Sequence, residues 1–175
     1  MKPERIYNGE SVQINFPIPN VPYEEHMMTT YTGESYPVYV TQEETSFPDG
    51  SLITSRTDIN GVITHANEAF VTMSGWSRDE LIGAPHSILR HPDMPKVAFK
   101  GLWETLQRGE KWHGYVKNLR KDGGYYWVYA TAIPNIRNGV VEGYTSVRRK
   151  PSLEKIKECT ELYAQLLKAE CAESD

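Results

Sequence analysis

The residues best equipped for chemistry lie between positions 86 and 118. His86, Arg90, His91 and Asp93 stand in a stretch punctuated by Pro85, Pro92 and Pro95, and Phe99 and Trp103 follow four residues apart. Arg90 offers a planar fork of donors that suits a phosphate or an internal carboxylate. Asp93 can orient Arg90 or accept a hydrogen bond from a ligand hydroxyl, and His86 and His91 can stack or donate. Phe99 and Trp103 fall on one helix face and can wall an apolar pocket. Asn118 carries an amide that both donates and accepts at a ring edge. Each residue also has a plainer role. Trp103 can be simple core, Arg90 and Asp93 a loop ion pair of small energetic value, and His91 a turn cap ahead of Pro92. The Asn118 amide can be satisfied by backbone, and Trp112 and Trp127 read as packing.

The surrounding pattern supplies elements to hold these groups. SLITSRTD and VITHA read as strands joined by an Asn60-Gly61 turn. Asn67 can cap a helix that ends at Gly75 and carries Phe70 and Met73 on one face. Ser77 and Glu80 form a capping box for a short helix closed by Gly83. Residues 84–95 read as loop. From Lys96 a longer helix places Val97, Phe99, Leu102, Trp103 and Leu106 at helical spacing up to Gly109. Three strands follow, separated by Asp122-Gly123 and Asn138-Gly139, which are strong hairpin signals. The order strand, strand, helices, long helix, three strands predicts an α+β domain: an antiparallel sheet with its helices on one face. After Pro151, residues 152–170 read as an amphipathic helix with Ile156, Cys159, Tyr163 and Leu166 in register and Leu153, Leu162 and Leu167 widening the stripe. That stripe needs a neighbour: its own sheet, a second copy or a downstream module.

The division expected is an N-terminal extension over 1–47, a sensor domain over 48–150 and a linker or signalling helix over 151–175. Pro3, Pro17, Pro19, Pro22, Pro37 and Pro48 break the extension, which is read as irregular or flexible; the alternative is an arm that packs on the domain through Tyr31, Tyr36 and Tyr39. The 175 residues suffice for one core with tails, and the net charge of −4 argues against a nucleic-acid partner. No apolar run approaches the ~20 residues that span a bilayer, and no signal-peptide stretch follows the start, so the chain is read as cytoplasmic without direct membrane insertion. Cys159 and Cys171 suggest neither a disulfide framework nor a zinc site.

The run TDINGVITHANEAFVTMSGWSRDELIG resembles the opening of a PAS domain. PHSILRHPDMPKVAFKGLWETLQRGEKWHGYVKNLRKDGGYYWV resembles the FAD-binding PAS domain of bacterial aerotaxis receptors, and the likeness covers roughly residues 48–165. The resemblance implies a PAS fold with a five-stranded sheet and a non-covalently bound FAD. It implies that Arg90, His91, Asp93 and Trp103 are needed for that cofactor, with Asn67, His86 and Asn118 lining the pocket and Phe99 beside them. It further implies redox or oxygen sensing in aerotaxis-type signalling, not catalysis. The output would pass to a signalling protein or a chemoreceptor-like (HAMP-type) module, with the chain as a homodimer. No such module follows residue 175, so the chain is read as an excised sensor domain or a stand-alone sensor. Light-sensing adduct chemistry is set aside because both cysteines lie in the terminal helix. His65, His86, His91 and His113 are haem ligands by type only, and the Ser, His and Asp residues form no catalytic set. The remaining alternative is a cofactor-free PAS dimerisation module.

Overall fold

The computed structural model describes residues 3–7, 9–30 and 32–173. Its centre is an antiparallel sheet of β5 (Ile53–Asp58), β6 (Ile63–Ala66), β7 (Trp112–Leu119), β8 (Tyr125–Arg137) and β9 (Val140–Arg149), in the order β6-β5-β9-β8-β7. Between β6 and β7 the chain forms α1 (Glu68–Ser74), α2 (Arg78–Leu81), a 3-10 turn (His86–Leu89) and α3 (Lys96–Gln107). These pack on one face of the sheet, so the α+β layout expected from the sequence is the one found.

Local signals act as their chemistry requires. The Asn67 side chain accepts from Phe70 N, and Ser77 with Glu80 closes a capping box on α2. Asn138 and Gly139 both take positive φ (50° and 77°), the mirror-image turn whose twist matches the strands it joins. The Asp122-Gly123 turn differs. Only Gly123 has positive φ there, and the loop closes through Arg120 N to Gly124 O (2.8 Å) with Asp122 Oδ1 accepting from Gly124 N (2.9 Å). Residues 84–95 are not all loop, because the 3-10 turn drives Ile88 and Leu89 into the core. That core joins Ile53, Ile63, Phe70, Met73, Leu81, Tyr126 and Val128.

The first 47 residues depart from the irregular segment expected. Their described residues form two antiparallel strand pairs, β1 (Glu4–Tyr7) with β2 (Glu10–Gln13) and β3 (Glu24–Thr29) with β4 (Ser35–Val40). Proline forbids the middle of a sheet, but each of these sheets has only two strands, and Pro37 sits in one of them opposite Met27. Tyr36, Val38 and Val40 alternate inward and build a small second core with Met28 and Leu119. Phe16 joins the two cores, stacking on Tyr36 (5.7 Å) and meeting Trp76 edge-on (5.4 Å). Ile6 N donates to Gly83 O, and Thr41 N to Gly123 O. The packing arm weighed as the alternative is therefore what forms, through Tyr36; Tyr31 lies outside the described residues.

Helix α4 (Leu153–Ala172) begins at the Ser152 cap and returns to the domain. It lies on the sheet face opposite α1 to α3, where Tyr163 stacks on Trp127 (6.2 Å) and donates from its hydroxyl to Tyr115 O (2.6 Å). Near its end Glu170 Oε1 accepts from Val97 N, in the first turn of α3. The stripe Ile156, Cys159, Tyr163, Leu166 and Leu167 thus takes its own sheet as neighbour, while Leu153 and Leu162 stay exposed.

Candidate functional site

The inner face of the sheet is apolar at β6 and along most of β8 and turns polar along a line from β7 to β9. Alternation along β7 sends Asn118 inward, opposite Tyr126 of β8. On β9 the same parity carries Tyr144, Ser146 and Arg148 inward, and on β5 it carries Ser55. The helix layer faces this line with Phe70 of α1, His86 of the 3-10 turn, and Arg90 with His91 in the segment that leads to α3.

Arg90 is half-buried. Its guanidinium lies over the Phe99 ring (4.7 Å), its backbone bridges Asn118 of the β7 edge, and its Nε is buried without a hydrogen-bond partner. Burial lowers its pKa, which the Tyr36 hydroxyl and Glu170 oppose, so β4 and α4 both reach this loop. Asp93 does not orient Arg90, as the sequence allowed it to. It pairs with Lys117 Nζ (2.8 Å), across the loop from β7. Burial is the largest single influence and raises its pKa, but the hydrogen bond from Lys117 and the neighbouring charges, that of Lys117 among them, together outweigh it and hold the pKa low.

His91 is 1% exposed. Its Nδ1 accepts from Asp93 N (3.0 Å), which places the proton on Nε2 and leaves the ring neutral. The Asp93 carboxylate 3.7 Å away is therefore no ion-pair partner for it. The turn-capping role is met, and Nε2–H still points into the core without an acceptor.

Deeper in, Arg148 is 2% exposed. One terminal nitrogen donates to Ser55 Oγ, the other lies 3.3 Å from His86 Nε2, and the guanidinium carbon sits 4.3 Å over the Phe70 ring. Its Nε has no partner. The Tyr126 hydroxyl faces the Asn118 amide without completing a hydrogen bond, and burial pushes its pKa up to about 12. Burial, reinforced by the charge of Arg148, brings His86 down to about 3.

The other expected residues divide. Asn118 is buried at the β7 end of this line, and Phe99 stands beside Arg90. Trp103 lies further along α3, 39% exposed, edge-on to Tyr144 (5.4 Å) and over Gly61. Both Asn67 amide atoms serve the α1 cap region, Oδ1 accepting from Phe70 N and Nδ2 donating to Leu52 O (2.8 Å). Arg148, Tyr126, Ser55 and Phe70 were missed as site residues. Strand parity on VVEGYTSVRR carries the available signal: position 148 shares the parity of Tyr144, and a cation there points inward.

The buried orphans share one property. Arg90 Nε, His91 Nε2 and Arg148 Nε are donors and Tyr126 OH can donate; a fifth buried donor, Trp76 Nε1, lies beside Phe16 of the N-terminal segment. Folded proteins leave few such groups unpaired, so the inner face suits a ligand rich in acceptors. Helix α3 is also an unfinished wall: among its stripe residues only Leu106 is buried, while Phe99 and Leu102 are half-buried and Val97 and Trp103 exposed. A diphosphate and a flat heterocycle with ring carbonyls fit this donor set. Cys159 is buried on the sheet-facing side of α4, on the other face, and Cys171 is exposed near the helix end.

Two neutral imidazoles, His91 buried and His86 half-buried, make the fold acid-sensitive. Burial, then Lys117, lowers the pKa of His91 as burial and Arg148 lower that of His86. In the unfolded chain both sit near the ordinary histidine value of about 6.5. Below that pH the unfolded state takes up protons that the fold refuses, so stability falls as pH falls. Each histidine contributes about 1.4 kcal/mol per pH unit. Urea midpoints should drop steeply from about pH 6.5 downward, and His86→Gln should remove roughly half of the slope. Equal midpoints at neutral and mildly acid pH would contradict the assignment.

Comparison with known proteins follows the same lines. Residues 63–148 match the family model described as the PAS fold. The chain is 48% identical over 128 residues to the aerotaxis receptor of Escherichia coli, covering 73% of this chain and 25% of that protein. It is 37% identical over 92 residues to the biofilm dispersion protein BdlA of Pseudomonas aeruginosa, covering 52% of this chain and 22% of that protein. The chain thus spans about a quarter of the length of these relatives. Among solved structures it resembles the dark state of the blue-light photoreceptor Aureochrome1 LOV, with a TM-score of 0.55 and 23% identity over 70% of this chain and 86% of that one. Strand order, helix layer and family match agree, and through its five-stranded sheet and the helices on that sheet the chain belongs to the PAS family.

Proposed function

We propose that this PAS domain binds FAD non-covalently between the inner face of its sheet and the segment 86–107, and reports the redox state of the flavin, and so oxygen or energy status, to a signalling partner in an aerotaxis-type pathway. The observation that carries the reading is the set of buried donors without acceptors, Tyr126 and Arg148 on the inner face and Arg90 and His91 in the segment that borders β7. Similarity to an aerotaxis receptor across 128 residues supports the sensing role. Arg90, near the rim, suits the diphosphate, His91 Nε2–H an acceptor beside it, and Asn118 a ring edge. Phe99 and Trp103 supply aromatic surface along α3. When bound, the flavin supplies reversible electron uptake, and the chain's own residues bind, orient and register it.

The chain acts as a sensor and not as an enzyme. β7 carries the signal outward, since it holds Asn118 on the inner face and, three residues earlier, the Tyr115 carbonyl that accepts from Tyr163 of α4. An amide that exchanges its oxygen for its NH₂ toward a reduced ring alters the strand under α4. Leu153 and Leu162, exposed on that helix, suit a second copy of the chain or a chemoreceptor-like module in the cytoplasm.

Heat-released cofactor from the purified chain should have the mass of FAD. Recovery of FMN or haem instead, or no uptake after reconstitution with FAD, would overturn the reading; a colourless dimer that takes up nothing would select the cofactor-free dimerisation module.

A further inference from the structure

Arg148 is a cation at the centre of the core, and the groups around it do not neutralise it. Ser55 from β5 and His86 from the 3-10 turn are neutral acceptors, Phe70 from α1 offers a ring face, and Tyr126 from β8 is a phenol. Among the described residues no carboxylate pairs with it, although burying a guanidinium in this way is costly without a counter-charge. Burial lowers its pKa only to about 10, so it stays charged at neutral pH. Its Nε–H has no acceptor. Arg90, the other cation of the site, lies nearer the surface, where a diphosphate dianion keeps part of its hydration. The deep position, between an aromatic face and the sheet, suits a flat ring that gains charge only in one state.

We propose that Arg148 is the cation that faces the reducible ring of the bound flavin and holds the negative charge which reduction places there. The inference rests on the FAD reading. Two-electron reduction with one proton from solvent, added at the ring's central nitrogen, leaves a negative charge shared between the pyrimidine nitrogen and its neighbouring carbonyl. A second proton would cancel that charge. A fixed cation favours the anion over the doubly protonated ring, because a charge interaction in a low-dielectric core is weakly screened. It also favours the reduced anion over the neutral oxidised ring, and so raises the midpoint potential. Of the titratable groups facing Arg148, His86 is held neutral by burial and Tyr126 is held protonated, so neither supplies a competing charge in the neutral range.

The test is anaerobic titration of the FAD-loaded chain, with dithionite as the electron donor, between about pH 5 and pH 8. One proton per two electrons gives about 29.6 mV per tenfold change in proton concentration, and two protons give about 59 mV. The wild-type chain should keep the shallow slope into the acid range. Arg148→Gln should steepen to the two-proton slope there. At the alkaline end its potential should fall by at least tenfold in the equilibrium constant, about 30 mV for a two-electron couple. Arg148→Lys, which keeps the charge, should retain the shallow slope. Wild-type potentials and slopes in a flavin-loaded Arg148→Gln would overturn the proposal and leave Arg148 a packing residue. If that variant does not fold or load, the wild-type slope decides alone: a two-proton slope in the acid range would overturn the proposal. Failure of the wild-type chain to take up FAD would instead sink the flavin reading.

Discussion

Replacing Arg90 by alanine is expected to strip FAD from the domain while leaving the sheet intact. Arg90 is the rim cation whose Nε finds no partner within the fold. Its other contacts are the Phe99 ring and the fields of Tyr36 and Glu170, which the fold can lose cheaply because the residue is only half-buried. Losing one partner of a desolvated, charge-assisted contact costs about 2–5 kcal/mol, which is roughly 30-fold or more in Kd. Arg90→Lys should recover little of this, since a point charge does not reproduce the planar fork. Flavin titration followed by absorbance, together with far-ultraviolet circular dichroism of the apo form, measures both halves of the expectation. Wild-type affinity in a folded Arg90→Ala chain would remove Arg90 from the site. Trp103 makes a weaker test, because it is partly exposed and packs on Tyr144 at the far part of α3.

The largest loss of stability is expected at Phe70. Its side chain is fully buried at the junction of α1 with the sheet, beneath the Arg148 guanidinium and tilted against His86 at 5.9 Å. Truncation to alanine removes a whole ring from the core and leaves a cavity that the sheet cannot close, a cost of about 3–5 kcal/mol. The same change withdraws the aromatic face from a buried cation, adding to the penalty. Phe70→Leu, which conserves more of the volume, should cost about 1.5 kcal/mol or less. Equilibrium urea unfolding of the three chains gives the comparison. A Phe70→Ala loss no greater than that of Phe70→Leu would mean that the ring is not where the core is anchored.

The likeness to a known sensor and the donor inventory were both open to the sequence, but they named different halves of the site. Arg90, His91, Phe99 and Asn118 stood out because polar and aromatic types gathered within one short stretch, and the structure brings these four to the β7 end of the inner face. Asn67 has a structural duty the pocket reading did not include: its Oδ1 accepts from Phe70 N and its Nδ2 donates to Leu52 O, which commits one donor and one acceptor of the amide to the α1 cap. The pairing of Asp93 with Lys117 instead of Arg90 could not be read, because it depends on the loop folding over the edge of β7. Arg148 was hidden for a similar reason. A basic residue at the end of a strand ordinarily faces water, and only the sheet order shows that β9 is central with Ser55 on one neighbour and Tyr126 on the other.

By itself the sequence determined what short-range chemistry controls. The caps at Asn67 and Ser77, the mirror turn at Asn138 and Gly139, the periods of α3 and α4, and the α+β order all depend on contacts within a few residues. Those contacts have the same partners in any fold. Tertiary structure alone decided that the proline-rich N-terminal segment forms two strand pairs, because a pair of strands gains its stability from Leu119, Trp76 and the Gly123 carbonyl, all more than 40 residues away. It alone laid α4 against Trp127 on its own sheet. It alone placed a lone arginine in the core, since the cost of burying charge depends on which neighbours the fold brings, and those lie on four other elements of the domain.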